Sequence, residues 1–325
     1  MKITLLVLAF ASCTALAATE EQTNKTFRVS PGGTLVVDVD FGSIDVAAKS
    51  TDAVAVSVWR KVTRSNMDNE QKFFSENPVV FVQEGTTVTV RCRQKVKEKS
   101  HWFGGWANRN EAKYTILVPD RFNLQLNTSG GGIVTRDVAG EVKADTSGGG
   151  LQFSRLHGPL HGDTSGGGIH VTDCEGPIKI HTSGGGIEAA GGGGSLDGDT
   201  SGGSITVKNF KGPVEIHTSG GGITIENVAG SVNGHTSGGS INALLLSPMA
   251  GDVKLSTSGG GVTARIPAEA AFNLEAETSG GSVSCDLPVT VQGKIESNRI
   301  HGPVNGGGPL LRLKSSGGGI HVEKL

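Results

Sequence analysis

Six side chains able to bind a metal or carry a proton recur every 18 residues: Asp145, Asp163, His181, Asp199, His217 and His235. Imidazole and carboxylate one strand apart could hold a transition metal. The same column, extended back to Asn127, also reads as a solvated ladder that avoids stacking one charge along the whole chain. No fixed three-ligand motif repeats in it, so the ladder reading is preferred and no metal or other cofactor is assigned. Either reading requires these residues to face outward together, which depends on the element that repeats.

That element is a tetrapeptide. Thr-Ser-Gly-Gly begins at Thr128, Thr146, Thr164, Thr182, Thr200, Thr218, Thr236, Thr257 and Thr278, with six steps of 18 residues and then two of 21. A degenerate copy starts at Ser315. A fixed period near 20 residues marks a solenoid of stacked coils. With each Thr as position 1, position 6 is apolar in all nine coils, from Ile133 to Val283. Position 15 is Val142, Leu160, Ile178, Leu196, Val214 and Val232, and position 13 is Gly in the same six coils. Two short alternating strands per coil follow, near positions 5–9 and 14–18, with 6, 8, 15 and 17 inward. Position 18 then points out. Parallel in-register stacking satisfies the backbone between coils. The fold class is all-β: a single-stranded, right-handed parallel β-solenoid, its hand taken from the rule for parallel crossovers. Nine to ten rungs at about 4.8 Å give a rod about 45 Å long.

Residues 27–127 lack this period. Phe27 to Val46 reads as two alternating strands around a Pro-Gly-Gly turn, and Ala53–Thr63, Val79–Val82, Thr86–Arg93 and Tyr114–Val118 read as further strands. Ser65–Asn77 is the one convincing helix, with Phe73 and Phe74 as its apolar contacts. Together they form an N-terminal β-rich cap, needed because an open solenoid end is an unpaired sheet edge. The organisation is a signal peptide over 1–17, the cap over 18–127 and the solenoid over 128–325, with 27–325 one continuous domain. Leu287–Leu311 interrupts the period as a hairpin or loop before the last rung returns at Ser315.

The N-terminus carries Lys2, an apolar run from Ile3 to Ala11, and Ala15-Leu16-Ala17 as a small-residue cleavage site. This predicts export to the periplasm, the cell surface or the medium. Cys13 ends a weak lipobox, which keeps a lipid anchor there as an alternative. No other segment is apolar enough to cross a bilayer. A net charge of −2 offers no basic field for nucleic acid. Beyond the signal peptide, Cys92, Cys174 and Cys285 are too few and too scattered for a disulfide framework or a zinc site, and read as small buried hydrophobes.

The repeat leaves little for catalysis. The glycine runs lack the Lys and the helix of a phosphate loop, and no Asp follows them as calcium-binding repeats require. A glycan lyase on a β-helix needs clustered acids and aromatic platforms. From Thr128 onward the aromatics are Phe153, Phe210 and Phe272, the first two at core positions. The threonine and serine columns raise ice binding, but adjacent residues face opposite ways. The simpler reading is one inward Thr ladder bonding within itself.

Only Lys95–Lys113, joining two strands, does not read as scaffold. It sets Trp102, Phe103 and Trp106 among basic residues in a long loop. These aromatics either form a recognition surface or fold back on the cap.

The chain resembles the adhesin-like DUF4097 family of toastrack-type bacterial envelope domains. The resemblance covers about residues 27–325 and rests on VSPGGTLVVDVDFGSIDV, YTILVPDRFNLQLNTSGGGIV, the TSGGG-I-x-V coils, IPAEAAFNLEAETSGGSV and GPVNGGGPLLRLKSSGGGIHVEKL. It implies an exported β-solenoid with no catalytic residues assigned, so no functional positions carry over. The function expected is a non-enzymatic adhesin-like module binding a protein or glycan at the cell envelope. An envelope-stress adaptor or sensor is the alternative, and a glycan-active enzyme is disfavoured. Changing Trp102 and Trp106 to Ser decides the loop: loss of about 30-fold in ligand affinity with unchanged melting makes it the recognition surface. Lost melting temperature with unchanged binding makes it part of the cap.

Overall fold

The computed structural model describes residues 19–64, 66–94, 109–291 and 296–325. Two sheets of 14 strands each run its length, and one coil after another adds a strand to each. In the coil starting at Leu124, the chain passes along one sheet to Thr128, turns through Ser129–Gly132, and runs along the other sheet from Ile133 to Arg136. It then turns back through Asp137, and Ala139 makes isolated parallel bridges to Arg121 on one side and His157 on the other. Successive coils pair in parallel without slippage, so that Val142, Leu160, Ile178, Leu196, Val214 and Val232 form one inward stack. The expected parallel β-solenoid is the fold.

The return turn requires a left-handed backbone. Asp137, Asp173, Asn209 and Asn227 occupy it with φ of 64°, 51°, 51° and 55°. These are the residue types that tolerate it best. Arg155 holds the same position at φ 50°, and its guanidinium grips Asp137 of the preceding coil through Nε and Nη2 at 2.6 and 3.0 Å.

The threonine column is inward, as read, but it does not bond within itself. Each hydroxyl donates to a glycine carbonyl of the coil beneath: Thr146 to Gly131, Thr164 to Gly149, and Thr200 to Gly185, all at 2.7 Å. It also accepts from the glycine N–H three residues on, as Gly203 N–H does to Thr200 at 3.3 Å. A corner carbonyl of the adjoining coil accepts the hydroxyl's hydrogen bond in place of the next threonine.

Stacking extends past the TSGG segment at both ends, so the rod holds more rungs than the tetrapeptides count. At the N-terminal end, β2 (Thr34–Val39) and β3 (Ser43–Lys49) form a coil in register with β8 (Asn123–Thr128) and β9 (Ile133–Arg136). Outside them lie β6 (Thr87–Cys92) and β7 (Arg109–Pro119). Three antiparallel pairings close the end: β4 (Ala53–Thr63) on β7, β1 (Thr19–Arg28) on β4, and β5 (Val80–Glu84) on β6. Sequence reading missed most of β1, whose polar composition lacks an apolar alternation. The helix α1 (Met67–Glu76) begins at Asn66, whose side chain accepts from Asn69 N–H at 2.9 Å.

At the other end, chain order and stacking order part. The last coil, β27 (Leu310–Ser315) and β28 (Ile320–Lys324), inserts between the coil of Thr257 and the coil formed by β24 (Phe272–Thr278) and β25 (Val283–Cys285). The corner bonds record this: Ser315 donates to Gly260, and Thr278 donates to Gly318. The segment that breaks the period supplies β26 (Arg299–Val304), antiparallel on β24.

The corner predicts a sharp contrast between adjacent glycines. A Cβ at Gly131 would stand 2.0 Å from the Gly42 carbonyl oxygen, whereas one at Gly130 meets its nearest atom at 4.0 Å. Gly131→Ala should cost about 2 kcal/mol or more in denaturant unfolding, and Gly130→Ala less than about 0.5 kcal/mol. Equal losses would show that the corner does not set the coil spacing.

Candidate functional site

The position-18 column is real and lies on the outer face of the sheet that contains β8. Asn127, Asp145, Asp163, His181, Asp199, His217, His235 and Ser256 stand directly opposite one another on consecutive rungs. The alternation of strand side chains puts them outward, because their neighbours Thr146, Thr164 and Thr182 are inward and buried. Beside it runs a second outward column, Lys143, His161, Lys179, Asp197, Glu215 and Asn233. Sequence reading did not single this column out, although the same period of 18 residues carries it.

The two columns interact. His161 Nε2 lies 2.8 Å from Asp163, while within the second column Lys179 lies 3.6 Å from Asp197. His217 Nε2 lies 3.4 Å from Glu215 Oε1, and the His217 and His235 ring centroids are 6.3 Å apart. His235 Nδ1 is 2.9 Å from the Ser256 hydroxyl. The Asp145 carboxyl is held above its ordinary value, first because the sheet partly desolvates it and then because Asp163 faces it, with His161 opposing. Among the described residues, no group of three or more His, Cys, Asp or Glu side chains is already arranged around one point as a metal centre.

Trp102, Phe103 and Trp106 lie outside the described residues, as do residues 1–17, read as a signal peptide, and Cys13. One correction applies to their loop: β7 already begins at Arg109, so Arg109–Lys113 are strand. Those five residues pair with Lys113 opposite Trp59 and Arg109 opposite Thr63, which the long β4 makes possible. Among the described residues, Cys92 and Cys174 are buried and Cys285 half-buried, all as free thiols, and burial raises the Cys174 and Cys285 thiols.

The cap holds a buried polar cluster that composition did not signal. Arg60 is 1% exposed. It donates to the Asn77 carbonyl at 2.6 Å, pairs with Glu21 and lies against the Phe74 ring. Glu70 accepts from the Thr19 N–H, the Thr19 hydroxyl and the Arg64 N–H, and these bonds, the Thr19 hydroxyl foremost, hold its carboxyl below the ordinary value. These contacts tie β1 and α1 to β4 and the residue that follows it. At the far end, a groove of about 620 Å³ is lined by Glu275, Glu277, Arg299, His301, Arg312 and Lys314. Arg312 there pairs with Glu275 at 2.6 Å.

With this geometry in place, residues 34–323 match the Toastrack DUF4097 family over nearly the whole rod. The chain belongs to that family. Among solved structures, this toastrack chain is similar to a candidate cell adhesion protein of Clostridium sporogenes, at 12% identity and a TM-score of 0.23, covering 94% of this chain and 100% of that one. A candidate adhesin of Bacteroides fragilis matches at 12% identity and 0.32, covering 94% and 97%. One of Parabacteroides merdae matches at 11% and 0.35, covering 93% and 96%. No curated protein matches the toastrack chain. No helix among its described residues is long and apolar enough to cross a membrane.

The raised Asp145 carboxyl has a defined pH signature. A folded-state value above the unfolded one means that the native state prefers the protonated acid. Stability from this group is present at low pH and lost as pH rises through the folded value. Asp145→Asn should therefore raise the melting temperature at pH 7. The gain should vanish below about pH 4, where the carboxyl is protonated in both states. A gain that persists at low pH would trace to packing instead.

Proposed function

We propose that the protein is an exported, non-catalytic interaction module of the cell envelope, binding a protein or glycan partner along its flat sheet faces. The observation that carries this reading is the division of labour within each coil. The repeated threonine hydroxyls turn inward and are consumed in bonds to glycine carbonyls of the adjoining coil. What faces out is a regular array of short polar and charged side chains that differ from rung to rung. A rigid array with variable outward residues suits recognition of an extended partner, because little entropy is lost on docking. Export rests on Lys2, the Ile3–Ala11 run and Ala15-Leu16-Ala17.

Two face variants test it. One replaces Lys143, Lys179 and Lys254 by Ser on the histidine-bearing face, and the other replaces Lys208 and Arg265 by Ser on the opposite face. Their binding to purified peptidoglycan, lipopolysaccharide and capsular polysaccharide is compared by interferometry with that of the wild type. Binding by the wild type that one variant loses by about tenfold, at equal melting temperature, supports the reading. Release of new reducing ends from any of these glycans, or equal binding by all three proteins, overturns it.

A further inference from the structure

Within the outward column only one place sets two imidazoles side by side. β18 (Val214–Thr218) and β20 (Val232–Thr236) are parallel neighbours, and His217 stands directly opposite His235. Their rings are 6.3 Å apart between centroids and tilted by 53°. His161 instead engages Asp163, and His181 has Asp163 and Asp199 as its rung neighbours. We propose that His217 and His235, completed by Glu215, form a site for a borderline divalent transition metal ion of the Zn²⁺, Ni²⁺ or Cu²⁺ type.

Each member is oriented by a neighbour. With Nδ1 of His235 protonated and donating to the Ser256 hydroxyl at 2.9 Å, its Nε2 keeps a lone pair directed away from that bond. A hydrogen bond of this kind on the non-ligating nitrogen is what fixes metal-binding histidines. His217 Nε2 already lies 3.4 Å from Glu215 Oε1, two residues away on the same face of the same strand. Asn233, on the neighbouring rung, donates to that same oxygen at 3.5 Å. Asp199 lies opposite His217 on its other side and adds negative charge next to an incoming cation. Two imidazole nitrogens and one carboxylate oxygen form a donor set that suits zinc, nickel and copper better than calcium or magnesium. Neighbouring rungs stand about 4.8 Å apart, which puts the two opposed imidazoles within side-chain reach of one ion at about 2.1 Å.

The side chain of His217 is 40% exposed. The remaining coordination positions therefore open to water. The site is built for exchangeable capture, in contrast to the closed four-ligand shell of a structural zinc. Metal and protons compete for the same imidazole nitrogens, so binding weakens in acid.

The test is calorimetric titration of tag-free protein with ZnCl₂ and with NiCl₂ at pH 7.5 and 5.5, alongside thermal melts without metal. One equivalent should bind at pH 7.5 and bind at least about tenfold more weakly at pH 5.5. His217→Asn and His235→Asn should each abolish saturable binding, and Ser256→Ala should weaken it by about 10- to 100-fold. His181→Asn should bind as the wild type does. All variants should melt as the wild type does without metal, since exposed ladder contacts are individually weak. No saturable binding by the wild type overturns the proposal. So does binding that survives in the His217→Asn/His235→Asn double variant, or that is lost equally in His181→Asn.

Discussion

Ten coil-to-coil contacts repeat one bond: the hydroxyl that opens a corner donates to a glycine carbonyl in the corner beneath it, from Thr128 on Gly42 to Ser315 on Gly260. The bond forms because the corners approach closely enough that no side chain fits between them. A Cβ at Gly149, Gly167 or Gly185 would sit 2.2 Å from the carbonyl oxygen below. Glycine permits the approach, threonine satisfies the carbonyl that the approach would otherwise bury unpaired, and neither suffices alone. Since each coil touches only its neighbours, many modest bonds of this kind add nearly independently along the rod.

The core tolerates variation that the corner does not. The inward position 11 runs Val138, Leu156, Cys174, Gly192, Phe210 and Val228. A small residue and a glycine are followed at once by the bulkiest side chain of the stack, so volume is shared between rungs. The Phe153 ring likewise lies over Gly162, whose missing side chain leaves the space. Core identity can therefore drift, provided each gap is filled from an adjacent coil, while the corner geometry stays constant.

The ends obey a different constraint. A parallel stack leaves two unsatisfied strand edges at each end. The N-terminal end answers with antiparallel strands on both sheets and with the Arg60 and Glu70 network, which fastens β1 and α1 across them. The C-terminal end tucks the last coil one rung inward and leaves β24, β25 and antiparallel β26 outside it. The two ends share a device: β2 with β3, and β27 with β28, are near-terminal coils that lie beneath coils drawn from further inside the chain. With the inward positions committed to stacking and the ends to closure, the outward columns are where rungs can differ, and there the paired histidines arise.

Much of this was legible in the residues. The 18-residue period, the apolar positions 6 and 15 and the corner glycines prescribe the coil, its two strands and which residues face out, because a strand alternates its side chains and a parallel stack in register aligns equal positions. The Asp/His column follows from the same arithmetic. Three things did not follow. The partner of the threonine hydroxyl depends on how near the next corner comes, which is a distance between coils and no property of one coil. The place of the Ser315 coil beneath the Thr278 coil depends on a crossing that no period encodes. The meeting of His217 with His235, Glu215 and Ser256 depends on which side chains of two adjacent columns lean together, and only the packed sheet decides that.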